Sequence, residues 1–180
     1  NALTDLEHPC QVIADFMTIK EEFGDFKNVV LTYIGDSNNV ANSLILCGAI
    51  LGLKVRIASP KGFEPNKAII LRARKINNIL NISNNPSEAV RGAHVIYTDV
   101  WSSMGEENLK EDKDKNFQGF TVDHKLLDLA DNKAIVLHCL PAYRGKEITD
   151  EIIDSENSRI FDQAENRLHA QQALLSCLLS

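Results

Sequence analysis

Short apolar runs alternate with segments of helical periodicity from one end of this chain to the other, and that alternation restricts the fold more than any other feature. The runs at 28–34, 53–59, 79–82, 94–98 and 134–138 are short and mainly apolar, which reads as buried strands of a parallel sheet. Helical segments lie between them at 40–51, 65–77, 86–91 and 122–130, the last with Leu126, Leu127, Leu129 and Ala130 as an apolar stripe. Repeated βα units require right-handed crossovers, so the expected fold is α/β, a doubly wound, Rossmann-like parallel sheet of five strands with helices on both faces.

Two further helices flank this array. The opening one runs over 9–23, with Pro9 in its first turn and Gly24 as its stop. The closing one starts near Glu165 and ends in the apolar stretch 173–179, which packs either on this sheet or on a partner domain. Residues 106–116 are densely charged and Gln118-Gly119-Phe120 breaks the periodicity, giving either a solvated helix and turn or a mobile lid.

At 180 residues and 44% hydrophobic content the chain can bury one full core, and we read it as one domain over 1–180. Its 19 Lys and Arg against 25 Asp and Glu give a net charge of −6, which removes the basic field that nucleic acids need. The longest apolar run, 44–53, falls short of the roughly 18 residues that span a bilayer, and no basic-then-apolar leader opens the chain. A cytoplasmic protein without membrane contact is expected. Cys10, Cys47, Cys139 and Cys177 are scattered, with neither disulfide nor zinc-ligand spacing. The chain opens at Asn1 without a methionine, as a cut-out segment or processed product with a region upstream would.

Ligands of open parallel sheets bind outside the carboxyl ends of the strands, where the winding reverses. Three loops there are polar and rich in small residues: Gly35-Asp36-Ser37-Asn38-Asn39, Asp99-Val100-Trp101-Ser102-Ser103-Met104-Gly105 and Cys139-Leu140-Pro141-Ala142. The first lacks the Gly-x-Gly-x-x-Gly spacing of a dinucleotide fingerprint, and the second strand ends in Ala58-Ser59-Pro60-Lys61 with no acid for a ribose hydroxyl. What the loops do offer is an amide (Asn39), a carboxylate (Asp99), a hydroxyl (Ser103) and a thiol (Cys139), a set suited to an amino acid carrying a second amine. Each has a structural alternative. Asn39 or Asp36 can cap the next helix, Asp99 can be a turn residue, Cys139 can be a small buried hydrophobe, and His138 can either lower the thiol's pKa or sit satisfied in the core.

His8-Pro9-Cys10-Gln11, the three loops above with His138-Cys139-Leu140-Pro141, and Glu165-Asn166-Arg167 follow one another in an order and spacing that resemble ornithine carbamoyltransferases. Those enzymes have two domains. The first grips carbamoyl phosphate through a Ser-x-Arg-Thr motif, which this sequence does not contain, and the second binds ornithine. The resemblance therefore implies the second domain, with the closing helix 165–179 folded against the carbamoyl-phosphate domain. It implies that His8, Gln11, Cys139 and Arg167 contact carbamoyl phosphate, and that Asn39, Asp99, Ser103 and the Met104 backbone hold the α-amino and α-carboxylate groups of ornithine. Cys139 and the Leu140 carbonyl would sit near the carbamoyl group and the attacking δ-amine, with a thiolate or carboxylate managing the amine proton. Residues 102–120 match the family segment that closes over ornithine, and Ala142 stands where some relatives have arginine. No cofactor or metal is implied. The parent enzyme would be a homotrimer built mainly by its first domain, and the isolated segment monomeric and inactive. The other readings are a carbamoyltransferase for another amine acceptor and a non-catalytic amino-acid-binding module.

Overall fold

The computed structural model describes residues 1–102 and 110–180. Its elements in chain order are α1 (Pro9–Phe23), β1 (Val30–Ile34), α2 (Asn39–Leu51), β2 (Lys54–Ala58), α3 (Lys67–Ile76), β3 (Asn81–Ser83), α4 (Pro86–Ala89), β4 (Val95–Thr98), α5 (Lys110–Asn116), α6 (His124–Leu127), β5 (Ile135–His138), α7 (Asp150–Ile153) and α8 (Ile160–Leu179). All five strands are parallel, in the order β3-β2-β1-β4-β5.

That order is the expected doubly wound sheet. The chain winds outward from β1 to β3, then returns to the other side of β1 for β4 and β5, so the reversal falls between β1 and β4. Register aligns the strand ends there: Ile34 pairs with Thr98, and Thr98 with His138, which brings the next residues of three loops to one edge.

Alternation along the strands divides the core into two layers. Leu31, Tyr33, Val95, Tyr97, Ile135 and Leu137 face α1, α2 and α3, packing with Phe16, Ile19, Leu44 and Ile69. Ile34, Ile96 and Val136 face the opposite way, toward Trp101, Phe117, Val122, Ile152 and Ile160. Tyr33 and Tyr97 stack at 5.9 Å on the first face, a geometry worth about 1 kcal/mol beyond burial. Buried Thr32 and Thr98 donate to the carbonyls of Ala89 and Ile34, so neither leaves a strand hydroxyl unpaired. Gly48 lets α2 approach β2 closely, since a Cβ there would clash with Val55 Cγ2.

Several details depart from the sequence reading, among them the helix expected over 122–130, which shrinks to α6 because Val122 bridges to Ile148 instead. The closing helix begins at Ile160 rather than near Glu165, because buried Ile160 starts it although Arg159 supplies no side-chain cap. α7 was not anticipated; its four residues are too few to show a period. The described part of the charged stretch is not a fully solvated helix: Lys113 is buried with Nζ 2.8 Å from Asp36, and Phe117 stacks on Trp101 and meets Phe63 edge-on.

Candidate active site

A cleft of about 350 Å³ opens at the carboxyl edge of the sheet, over the point where the winding reverses. Its lining includes His8, Gln11, Asn39, Asp99, Cys139, Leu140 and Arg167. Every candidate from the sequence that lies within the described residues is therefore gathered in one place. Ser103 and Met104 lie outside those residues, as does most of the front of the segment proposed to close over ornithine. Thr4, Asp5, Asn38, Ser102 and Tyr143 also line the cleft and were not singled out.

The first loop is anchored by Asn38, not by Asn39 or Asp36. Asn38 Oδ1 accepts the backbone N–H groups of Val40 and Ala41 and so caps α2. Its Nδ2 reaches across the reversal point and donates to Asp99 Oδ2 at 2.6 Å. Asp99 Oδ1 accepts the N–H of Val100 at 2.7 Å, so a carboxyl group only 5% exposed is held by two donors. Asn39 instead donates to the Thr4 carbonyl at 2.7 Å, tying the segment ahead of α1 to the cleft rim. Asp36 is turned toward Lys113.

The loop after β5 is set by a histidine clamp. His138 Nδ1 accepts the N–H of Leu140 at 2.9 Å, which leaves Nε2 to donate to Glu147, and Glu147 also accepts the N–H of Tyr143. Leu140 sits at φ 57, a left-handed conformation that a leucine holds only when its surroundings dictate it. His138 is thus the satisfied core histidine, and it shapes the turn that presents Cys139 and Leu140.

Burial pushes the Cys139 thiol well above its ordinary range, and Asp99 beside it adds to the rise. The group is a thiol rather than the thiolate considered from sequence. Ligand atoms of Asp99, His138 and Cys139 lie within 4.8 Å of one another, but both His138 nitrogens are engaged within the protein, so the trio offers only two outward ligands.

His8 stands at the N-cap position of α1 without a side-chain cap bond, and its N–H donates to Ser43 Oγ at 2.7 Å. Burial, then the Arg167 guanidinium, lowers its pKa below the usual histidine value, which leaves the ring neutral near pH 7. Nδ1 lies 3.2 Å from the Ala2 carbonyl, which can only accept, so the neutral ring carries its proton there. Gln11 is buried at the start of α1, with Nε2 donating to Asp15. Arg167 comes from the first half of α8 and lines the same cleft as Asp99. The cleft thus carries a guanidinium, two carboxyl groups, several amides and hydroxyls and a thiol, a polarity that suits anionic and cationic ligand groups together.

Residues 27–178 match the family model for the aspartate/ornithine carbamoyltransferase, Asp/Orn binding domain. This chain belongs to that family. It is 69% identical to the ornithine carbamoyltransferase of Prochlorococcus marinus strain MED4, over 99% of this chain and 59% of that protein. A catabolic ornithine carbamoyltransferase of Thermoplasma acidophilum is 54% identical, over 100% of this chain and 60% of its own length. Among solved structures, ornithine carbamoyltransferase from Gloeobacter violaceus superposes with a TM-score of 0.91 at 48% identity, covering all of this chain and 61% of that one. The chain therefore spans about three-fifths of the length of these family members.

Proposed function

We propose that this chain is the amino-acid-binding half of an ornithine carbamoyltransferase, which transfers the carbamoyl group of carbamoyl phosphate to the δ-amine of L-ornithine to give citrulline and phosphate. The observation that carries this reading is the shared cleft, in which Asp99, Cys139 and Leu140 face the same space as His8, Gln11 and Arg167. The named relatives support the acceptor, since they are ornithine carbamoyltransferases over nearly all of this chain.

The chemistry follows from those side chains. Arg167 draws the anionic donor, and His8 and Gln11 contact its carbamoyl group. Asp99 offsets the charge of an ornithine ammonium, with Asn39, Ser103 and the Met104 backbone holding the remaining α-groups. The δ-ammonium first loses one proton to solvent, the freed lone pair attacks the carbamoyl carbon, and the tetrahedral intermediate expels phosphate, which carries away the second nitrogen proton as the C–O bond breaks. The mixed anhydride is already activated, so the protein's part is to orient the two substrates and to neutralise charge. Cys139, held as a thiol, hydrogen-bonds at the reacting centre rather than abstracting the proton.

The remaining two-fifths of the relatives' length corresponds, in this reading, to the domain that grips carbamoyl phosphate, and the exposed end of α8 docks on it. The parent enzyme is a cytosolic homotrimer, and this segment alone is monomeric and inactive. An amide-shift NMR titration of the chain with L-ornithine tests the site, with N-acetylornithine, putrescine and aspartate as controls. Shifts at Asn39, Asp99 and Cys139 with ornithine alone are expected. A preference for a control ligand would overturn the acceptor.

A further inference from the structure

Beneath the cleft lies a buried acid that the reaction scheme above does not use. Asp15 is on α1, one turn beyond Gln11, and is fully buried. Its Oδ1 accepts Gln11 Nε2 at 2.8 Å and Gln163 Nε2 at 2.6 Å, and its Oδ2 accepts the Tyr97 hydroxyl at 3.1 Å. A carboxylate can only accept, so it decides which end of each amide turns toward it. Gln11 must direct its nitrogen inward, and its Oε1 is buried without a hydrogen-bond partner among the described residues while the residue lines the cleft. Gln163 is fixed the same way, and its Oε1 accepts the backbone N–H of His138 at 2.9 Å, one residue before Cys139.

We propose that Asp15 is a positioning residue for carbamoyl transfer: it holds Gln11 with the carbonyl oxygen presented to the NH2 group of the donor substrate, and through Gln163 it fixes the strand end that carries Cys139. The inference rests on the carbamoyltransferase reading. A carbamoyl group has a donor NH2 at one side and an acceptor C=O at the other, so a lone acceptor on the protein selects its orientation. An inverted Gln11 amide would set donors against donors. The groups facing Asp15 are Gln11 on its own helix, Cys47 on α2, Tyr97 on β4, Cys139 after β5, and Gln163 and Arg167 on α8. Burial pushes the Asp15 carboxyl up to about 7 against the pull of its three hydrogen bonds, and once protonated it can donate, which releases the constraint on both amides.

Two measurements test this. In the unmodified chain, the side-chain NH2 signals of Gln11 and Gln163 are followed by NMR as pH crosses neutrality. Both should shift together with one midpoint, and the shared transition should vanish in Asp15→Asn. In a chimera that puts this chain in place of the matching segment of the Prochlorococcus marinus relative, Asp15→Asn should lower kcat/KM for carbamoyl phosphate by about tenfold or more. Combined with Gln11→Ala, it should add less than the loss it causes alone, because only the route through Gln163 remains. Additive losses, or a Gln11 amide that ignores the Asp15 transition, would overturn the proposal, and the second result needs no variant to fold. An inactive unmodified chimera would count against the transferase reading, while the amide titration still decides whether Asp15 sets Gln11.

Discussion

The two halves of α8 invert the usual sorting of polar and apolar side chains. In the first half, Gln163 and Asn166 are buried, and they bond to Asp15, Tyr97, Thr18 and Glu21. In the second half, Leu175, Leu178 and Leu179 are exposed, Leu179 to 84%. Polar groups lie inside because each has a partner, which removes the desolvation cost that normally keeps amides at the surface. Leucines lie outside because this domain offers them no surface. The first half belongs to this fold and to its cleft, through Arg167, whereas the second is suited to a neighbour.

This contrast can be broken from either end. The largest effect is expected for Gln163→Ala, which removes the bonds to Asp15, Tyr97 and His138 and leaves buried groups short of partners. Urea unfolding of the chain should show a loss of about 3 kcal/mol. A loss within error of zero would mean that the buried network does not hold α8.

The next prediction concerns pH. Asp15 titrates at about 7 in the folded chain against 3.8 as its ordinary value, so between these the native state holds a proton that the unfolded state has lost. Its contribution therefore falls as pH rises through that window, by at most about 1.4 kcal/mol per pH unit, and levels off above it. Unfolding curves for Asp15→Asn should lack this part of the pH dependence, and identical slopes for variant and parent would contradict the assignment.

Asn166→Ala should cost less, about 1 kcal/mol, because it loses two bonds rather than three and one of them, to Glu21, is only partly buried. Smallest of all, Leu178→Ser should change the stability of this chain by no more than about 0.5 kcal/mol. The same substitution in the chimera should lower its melting temperature clearly. Equal effects in both settings would show that the second half of α8 finds no partner there.

Apolar runs placed all five strands to within about two residues, although only β1, β4 and β5 are buried throughout, Lys54 of β2 and Asn81 of β3 being exposed. Five motifs likewise brought His8, Gln11, Asn39, Asp99, Cys139, Leu140 and Arg167 to one cleft. Other features were not legible, for physical reasons. Asp36, Asn38 and Asn39 are all good capping residues, and only the first turn of the formed helix selects Asn38. Hydrophobic periodicity discards Asp15 and Gln163 because it reads polarity as exposure, yet their hydrogen bonds close between elements far apart in sequence. Lys113 and Phe117 turn a charged stretch into a docked one through Asp36 and Trp101, contacts that charge density cannot report.

The central claim is that this cleft binds ornithine for carbamoyl transfer. It is tested most directly by supplying the chimera with carbamoyl phosphate and measuring product from L-ornithine, N-acetylornithine, putrescine and aspartate side by side. The account predicts citrulline from L-ornithine, no comparable product from the other three amines, and a large loss of activity in Asp99→Asn. Faster turnover of another amine, or undiminished citrulline formation in Asp99→Asn, would contradict it.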